Sequence, residues 1–285
     1  MQSMKGKLCV ITGATSGIGL VTARRLAAMG ASLVLVGRDE RRGEAALARI
    51  KAEAPDAEAR VFYGDLSRLS EMKRLGAEIA AAVPRIDVLI NNAGAMFNRR
   101  GVTEDGFERT FAINHMAYYV LTDKLRDRLL AGTPSRVVNT ASDAHRGQLL
   151  DFTDLQCEHN YRGLTAYGRS KLANILFTRE LARRLSGTGV TANCHHPGFV
   201  ATRIADNNRG LFRLGVGIAK RLVALPEEKG AETMIYLATA PEGAAVTGGY
   251  FAKSQPATPT AAAQDDAAAR RLWEESARLA AQSPG

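Results

Sequence analysis

Short apolar runs alternate along this chain with segments whose apolar residues recur every three or four positions. The runs are Leu8–Thr12 (LCVIT), Leu33–Val36 (LVLV), Ala59–Tyr63, Val88–Ile90, Arg136–Thr140 (RVVNT), Val190–Cys194 (VTANC) and a last short one at Tyr250-Phe251. Runs of this length with little alternation predict strands buried on both faces. Between the first two, Ile18, Val21, Leu26 and Ala27 fall near helical spacing, and Gly30 ends the segment as a C-cap would. Further helices are predicted over 40–54, 67–83 (Ser67 as N-cap), 104–130, 166–185 and 227–238. A charged, alanine-rich helix over about 264–282 follows, with Leu272, Trp273 and Leu279 as docking residues.

Strand and helix in regular alternation predict an α/β protein: a doubly wound parallel sheet of the Rossmann type with helices on both faces. No linker or repeat divides the 285 residues, so 1–285 reads as a single domain. The segment after residue 198, about 199–225, reads as a substrate lid.

The glycines change the picture from fold to ligand. The first strand runs into Thr12-Gly13-Ala14-Thr15-Ser16-Gly17-Ile18-Gly19 and a helix starts at once. A glycine-rich turn ahead of a helix N-terminus offers unpaired N–H groups and a positive dipole end to a pyrophosphate. Gly13, Thr15, Ser16, Gly17, Ile18 and Gly19 are therefore candidate cofactor residues. At the end of the second strand stands Arg38, where an acidic residue would select the ribose hydroxyl of NAD and an arginine accommodates the 2′-phosphate of NADP. NADP(H) is the expected cofactor, although Asp39 comes next. Asp65 and Leu66 end the third strand beside the expected adenine. Asn91 to Gly94 ends the fourth and would line the same crevice, with Asn92, Ala93 and Gly94 as candidate cofactor residues.

Tyr167 and Lys171 lie four apart in one predicted helix and share a face. A phenol is a poor acid–base catalyst at neutral pH unless a neighbouring ammonium favours its phenolate. The pair suits proton transfer to or from an oxygen beside a hydride-accepting carbon. Ser142, just after the fifth strand, is placed to hold that oxygen. His145 reads as a surface-loop histidine. His195 and His196, adjacent in a strand, point to opposite faces and do not suggest a metal.

Composition excludes more than it assigns. Apolar residues make up 46%, charged residues 24%, and the formal charge is +9. The basic residues are scattered rather than massed on one element, so no nucleic-acid partner is expected; the excess suits a polyanionic cofactor. Cys9, Cys157 and Cys194 form no C-x-x-C, so neither disulfides nor zinc is indicated. MQSMKGKLCVITG lacks a signal-peptide pattern, and no window nears the roughly 18 apolar residues of a membrane span. A cytoplasmic protein without a transmembrane segment is expected.

Together these motifs resemble the short-chain dehydrogenase/reductase family over essentially the whole chain. Thr12–Gly19 resembles its TGxxxGIG turn, Asn91–Gly94 its NNAG, Tyr167–Lys171 its YxxxK, and Pro197-Gly198 its PG after the sixth strand. The resemblance implies a catalytic group of Asn114, Ser142, Tyr167 and Lys171. Asn114 would hold a water of a proton relay, and Lys171 would also bind the nicotinamide ribose. Pro197, Gly198, Val200 and Thr202 would complete the cofactor site. It also implies pro-S hydride transfer, and a homodimer or homotetramer through the two long helices unless the C-terminal extension blocks it.

Within the family the chain is similar to the retinol dehydrogenase-like branch, through FAINH (111–115), SDAHRG (142–147), AYGRSKLANILFTRELARRL (166–185), HPGFVATRI (196–204) and RLWEES (271–276). That branch implies reduction of lipophilic aldehydes or ketones with NADPH. Leu211, Phe212, Leu214, Val216, Ile218, Leu222, Val223 and Leu225 are apolar but poor in aromatics, which favours a general hydrophobic carbonyl compound over a retinoid. Two other readings stay open: a ketoreductase of 3-ketoacyl or polyketide thioesters, and a non-catalytic NADPH-sensing protein.

Overall fold

The computed structural model describes residues 2–200 and 225–282. Its strands are β1 (Leu8–Thr12), β2 (Ser32–Gly37), β3 (Ala59–Tyr63), β4 (Val88–Asn91), β5 (Ser135–Thr140), β6 (Val190–His196), β7 (Tyr250–Ala252) and β8 (Gln255–Pro256). They form one sheet ordered β3-β2-β1-β4-β5-β6-β7-β8, parallel except for β8, which pairs antiparallel with β7. The chain winds outward from β1 to β3, then returns to lay β4 against the other side of β1. That reversal opens a crevice at the carboxyl ends of β1 and β4, where ligands of such sheets bind.

Helices cover both faces. On one lie α1 (Gly17–Ala28), α2 (Glu40–Glu53) and α8 (Glu227–Thr239), with Val21, Leu26, Ile50 and Met234 in a core shared with Ile11 and Leu35. On the other lie α3 (Leu69–Ala82), α5 (Ala117–Lys124) and α7 (Gly163–Arg184), with Met72, Leu75, Leu121 and Phe177 packed on Val10 and Leu89. The architecture is the expected doubly wound α/β sheet. The short helices α4 (Arg109–Phe111), α6 (Arg126–Ala131) and α9 (Pro241–Ala244) and the C-terminal α10 (Asp266–Ala280) complete the described elements. Trp273 of α10 stacks on Phe177 of α7, with centroids 5.7 Å apart, and Leu272 and Leu279 are buried.

The expected helix over 104–130 begins later and is broken. Gly106, at φ +81°, closes a turn in which Thr103 N–H donates to Phe107 O at 2.8 Å. The helix starts only after buried Glu108, whose carboxylate accepts Thr110 N–H at 2.9 Å and Phe111 N–H at 2.7 Å. A π-helical stretch, Ala112–Met116, then interrupts the α-ladder. Ser67 does not cap α3: its N–H goes to Asp65 Oδ1, while the Asp105 carboxylate accepts Leu69 N–H at 2.7 Å. β8, the exposed pair Gln255 and Pro256, carried no sequence signal.

Candidate active site

The glycine turn is held from the far side of the switch point. Thr12 Oγ1 accepts the N–H groups of Asn92 at 2.9 Å and Ala93 at 3.0 Å, and Asn92 Nδ2 donates to Thr12 O at 2.9 Å. Gly13 has φ +65°, and a Cβ there would lie 2.9 Å from Ala93 Cα. At Gly19 a Cβ would meet Gly13 O at 2.4 Å. Glycine at both positions lets the turn press onto the tail of β4. Ser16 stands extended ahead of α1 without a side-chain cap, and the first turn holds no acidic residue. The first N–H groups of α1 are therefore left without a side-chain acceptor, at the positive end of its dipole.

Gly37 ends β2 so close to Thr15 that a Cβ would sit 2.5 Å from its Cγ2. Arg38 follows directly and is exposed. Asp39, the acidic competitor, is committed elsewhere: its Oδ1 accepts Arg42 N–H at 2.9 Å and caps α2. Asp65 shapes the turn after β3 through its bond from Ser67 N–H, and Leu66 is buried in the core beside it.

Asn114, Ser142, Tyr167 and Lys171 converge at the carboxyl end of the sheet. Ser142 follows β5 and accepts Ala144 N–H at 3.1 Å as the cap of a 3-10 turn, which lies against α7 beside Tyr167: a Cβ on Gly168 would run into Ala144 O. Lys171 Nζ lies 5.6 Å from the centre of the Tyr167 ring and donates to Thr140 O at 3.0 Å. Asn114 sits in the π-helical stretch. Its Oδ1 accepts Ala95 N–H at 2.8 Å and its Nδ2 donates to Ser170 Oγ at 2.9 Å. Ser170 in turn donates to Tyr167 O at 2.7 Å, so α7 and the π-helix are joined between the tyrosine and the lysine. A Cβ on Gly94 would lie 3.3 Å from Asn114 Oδ1 and 3.6 Å from Lys171 Nζ, which puts the β4 tail over both.

Burial dominates the electrostatics. Desolvation pushes the Tyr167 phenol up to about 12, opposed by the Ser142 hydroxyl, and holds the Lys171 ammonium down to about 7. The acidification of Tyr167 expected from its spacing to Lys171 is not found: burial raises the phenol, and the Lys171 ammonium is turned to a backbone carbonyl.

Several neighbours had no clear signal in the sequence. Tyr118 is fully buried with Lys171 Nζ 5.8 Å from its ring centre, and burial raises its pKa. Asn91 does not line the crevice. It is buried beneath it, its Nδ2 donating to Thr122 Oγ1 at 3.0 Å and Asn139 Oδ1 at 2.9 Å. His145 is buried rather than a surface-loop residue. His195 is buried against Thr140, with Nε2 and Oγ1 3.3 Å apart, while His196 Nε2 faces Asp143 Oδ2 at 3.5 Å. Among the described residues no cluster of His, Cys, Asp and Glu could hold a metal. Pro197 and Gly198, the latter at φ +86°, follow β6, and Val200 is buried in the cluster that contains Ile18. Thr202 and most of the expected lid lie outside the described residues.

A model of the short chain dehydrogenase family matches residues 7–210. The chain belongs to the short-chain dehydrogenase family. Within it the chain falls in the retinol dehydrogenase-like branch: human retinol dehydrogenase 13 is 40% identical over 282 residues, covering 97% of this chain and 85% of the relative. Among solved structures, an uncharacterized protein from Mycobacterium paratuberculosis is 34% identical with a TM-score of 0.80, over 100% of this chain and 97% of its own. A short chain dehydrogenase from Burkholderia cenocepacia, solved in complex with NADP, is 26% identical with a TM-score of 0.68, over 88% of this dehydrogenase and 97% of its own chain. The chain is thus an oxidoreductase of this family. Among its described residues no helix is long and apolar enough to cross a membrane.

Proposed function

We propose that this oxidoreductase interconverts a lipophilic aldehyde or ketone and its alcohol with NADP(H), using Tyr167 as general acid and base. The observation that carries the reading is the close packing of the Ser142 turn on α7 beside Tyr167, where a Cβ on Gly168 would run into Ala144 O, with Lys171 one helical turn away. Two hydroxyls converging on one point can hold a carbonyl oxygen and protonate it as it becomes an alkoxide. The dinucleotide, when bound, supplies or takes up the hydride. Tyr167 gives its proton to the substrate oxygen, and Ser142 steadies that oxygen. Lys171, buried and close to its neutral point, exchanges a proton on the inner side of the pair. Asn114, anchored between Ala95 and Ser170, would hold the water of an outward relay.

The residues present fit a phosphorylated dinucleotide. The uncapped start of α1 suits a pyrophosphate, held by Gly13, Thr15, Ser16, Gly17, Ile18 and Gly19. Arg38 suits a 2′-phosphate, the more so because Asp39 is engaged as a helix cap. Asp65 and Leu66 would face the adenine, Asn92, Ala93 and Gly94 the adjoining ribose, and Pro197, Gly198, Val200 and Thr202 the nicotinamide. The Burkholderia dehydrogenase, solved with NADP, supports the same cofactor. Leu164, one turn ahead of Tyr167, and Phe199, just beyond Gly198, are exposed apolar side chains. They support a lipophilic substrate, as does the name retinol dehydrogenase among the relatives. The three unpaired cysteines suit a reducing, cytoplasmic compartment.

The test is turnover followed by NADPH absorbance with decanal, retinal and an acetoacetyl thioester. Reduction of decanal is expected. Exclusive use of the thioester would replace the substrate class, and tight NADPH binding with no turnover in a broad carbonyl panel would replace catalysis by sensing.

A further inference from the structure

Two of the four candidate catalytic residues have a buried histidine beside them, and both histidines reach into the same distant stretch of chain. His145 lies three residues after Ser142. Its Nδ1 is 2.7 Å from Ser142 O, which can only accept, so Nδ1 carries the proton. Its Nε2 is then an acceptor, and Thr260 N–H donates to it at 3.3 Å. The ring also meets Tyr250 edge-on at 5.3 Å, and Tyr250 donates to Asp143 Oδ1 at 2.9 Å. The Ser142 turn is thereby gripped by β7 and by the segment that follows β8.

His115 is the residue after Asn114, inside the π-helical stretch. Its Nε2 lies 2.8 Å from Ser276 Oγ on α10. Ser276 donates its own proton to Leu272 O at 2.7 Å, so the serine accepts from His115 Nε2–H. Both rings are fully buried, and burial lowers the pKa of each. They are therefore neutral at physiological pH, each with one donor and one acceptor nitrogen in a fixed tautomer. His145 is bonded at both nitrogens, so slack at either end would leave a buried polar atom unpaired. His115 ties the π-helical stretch to α10 through Nε2, its Nδ1 having no hydrogen-bond partner among the described residues.

We infer that residues 257–280 act as a positioning element for the catalytic group, setting Ser142 through Thr260 and His145, and Asn114 through Ser276 and His115. The inference builds on the roles proposed for Ser142 and Asn114. Helix α10 is seated firmly enough to transmit position: Trp273 stacks on Phe177 beneath Arg184, and Arg179 pairs with Asp266 at 2.7 Å.

Three variants test it. His145→Gln places an amide near Nε2 and loses the donor to Ser142 O; His145→Asn keeps a donor near Nδ1; Ser276→Ala removes the acceptor of His115. With decanal, kcat is expected to fall about ten-fold in His145→Gln and Ser276→Ala, as sub-ångström misplacement of reacting groups costs. The KM for decanal and the Kd for NADPH are expected to stay within about two-fold. His145→Asn, which keeps the donor to Ser142 O but loses the acceptor of Thr260 N–H, is expected to lower kcat as His145→Gln does. Full activity in it would show that Thr260 does not set Ser142. Amide hydrogen exchange gives a readout independent of turnover. Peptides over 142–146 are expected to exchange faster in the two His145 variants and those over 112–116 in Ser276→Ala, with 12–19 unchanged. Unaltered exchange at both sites, or a kcat that falls only in step with NADPH affinity, overturns the inference. A parent protein that turns over no carbonyl compound overturns the proposed function instead, and the exchange data still decide the positioning.

Discussion

Lys171 points its ammonium at the carbonyl oxygen of Thr140, at 3.0 Å, and not at the hydroxyl of Tyr167, whose ring centre lies 5.6 Å away. The lysine is therefore anchored to the end of β5, alongside the tyrosine ring. Neither group is in its ordinary ionisation range: burial raises the phenol to about 12 and lowers the ammonium to about 7. Removing the hydroxyl deletes the proton donor without touching the glycine turn. Tyr167→Phe is expected to reduce kcat for decanal by about a thousand-fold, with NADPH Kd, measured by fluorescence titration, within a few-fold of the parent. A comparable loss of cofactor affinity would reassign the residue.

Arg38 and Asp39 are neighbours with separate tasks. Arg38→Asp is expected to lower kcat/KM for NADPH relative to NADH by about a hundred-fold, the scale of a lost charge-assisted contact. Asp39→Ala removes the cap on α2 and is expected to cost about 1 kcal/mol in denaturant unfolding while leaving the NADPH/NADH ratio unchanged. A ratio that responds to Asp39 and ignores Arg38 would reverse the assignment.

Acid should unfold this protein through its buried imidazoles. Burial lowers His115 to about 4 and His195 to about 3, against about 6.5 in an unfolded chain. Between those limits the unfolded chain binds more protons, so stability is complete above pH 6.5 and declines as pH falls toward 4. Each imidazole contributes a slope of up to about 1.4 kcal/mol per pH unit. Urea midpoints at pH 7.5, 6, 5 and 4 check this; His195→Asn should flatten the curve, and a midpoint independent of pH would contradict the burial of both rings.

Thr12 is a joint between segments. Thr12→Val keeps the shape and leaves the N–H groups of Asn92 and Ala93 without their acceptor. It is expected to destabilise the protein by about 2–4 kcal/mol and to weaken NADPH binding, read by denaturant unfolding and by calorimetry. Thr12→Ser should restore both.

The sheet and the pairing of Tyr167 with Lys171 were legible because their signals are local. Apolar runs mark strands, and Tyr167 and Lys171 share a helix face by spacing alone. What was hidden depends on contacts between distant parts of the chain. The start of the helix at Arg109 is set by the Glu108 carboxylate and by Gly106, neither of which breaks a helical pattern visibly. The cap of α3 comes from Asp105, 36 positions on, so Ser67 was the natural but mistaken choice. His145 looked like a loop residue because its burial depends on Thr260 and Tyr250 folding back over it. Tyr118 carries no motif at all; only the packing of α5 against α7 sets it beside Lys171.

The single hydroxyl of Thr12 is saturated by amides 80 and 81 residues further along. A dinucleotide pocket is thus no local possession of the glycine-rich stretch. A nascent chain that has made β1, α1 and β2 has the residues for recognition but nothing to brace them. The brace of this turn is complete only when the fourth strand and its tail are in place.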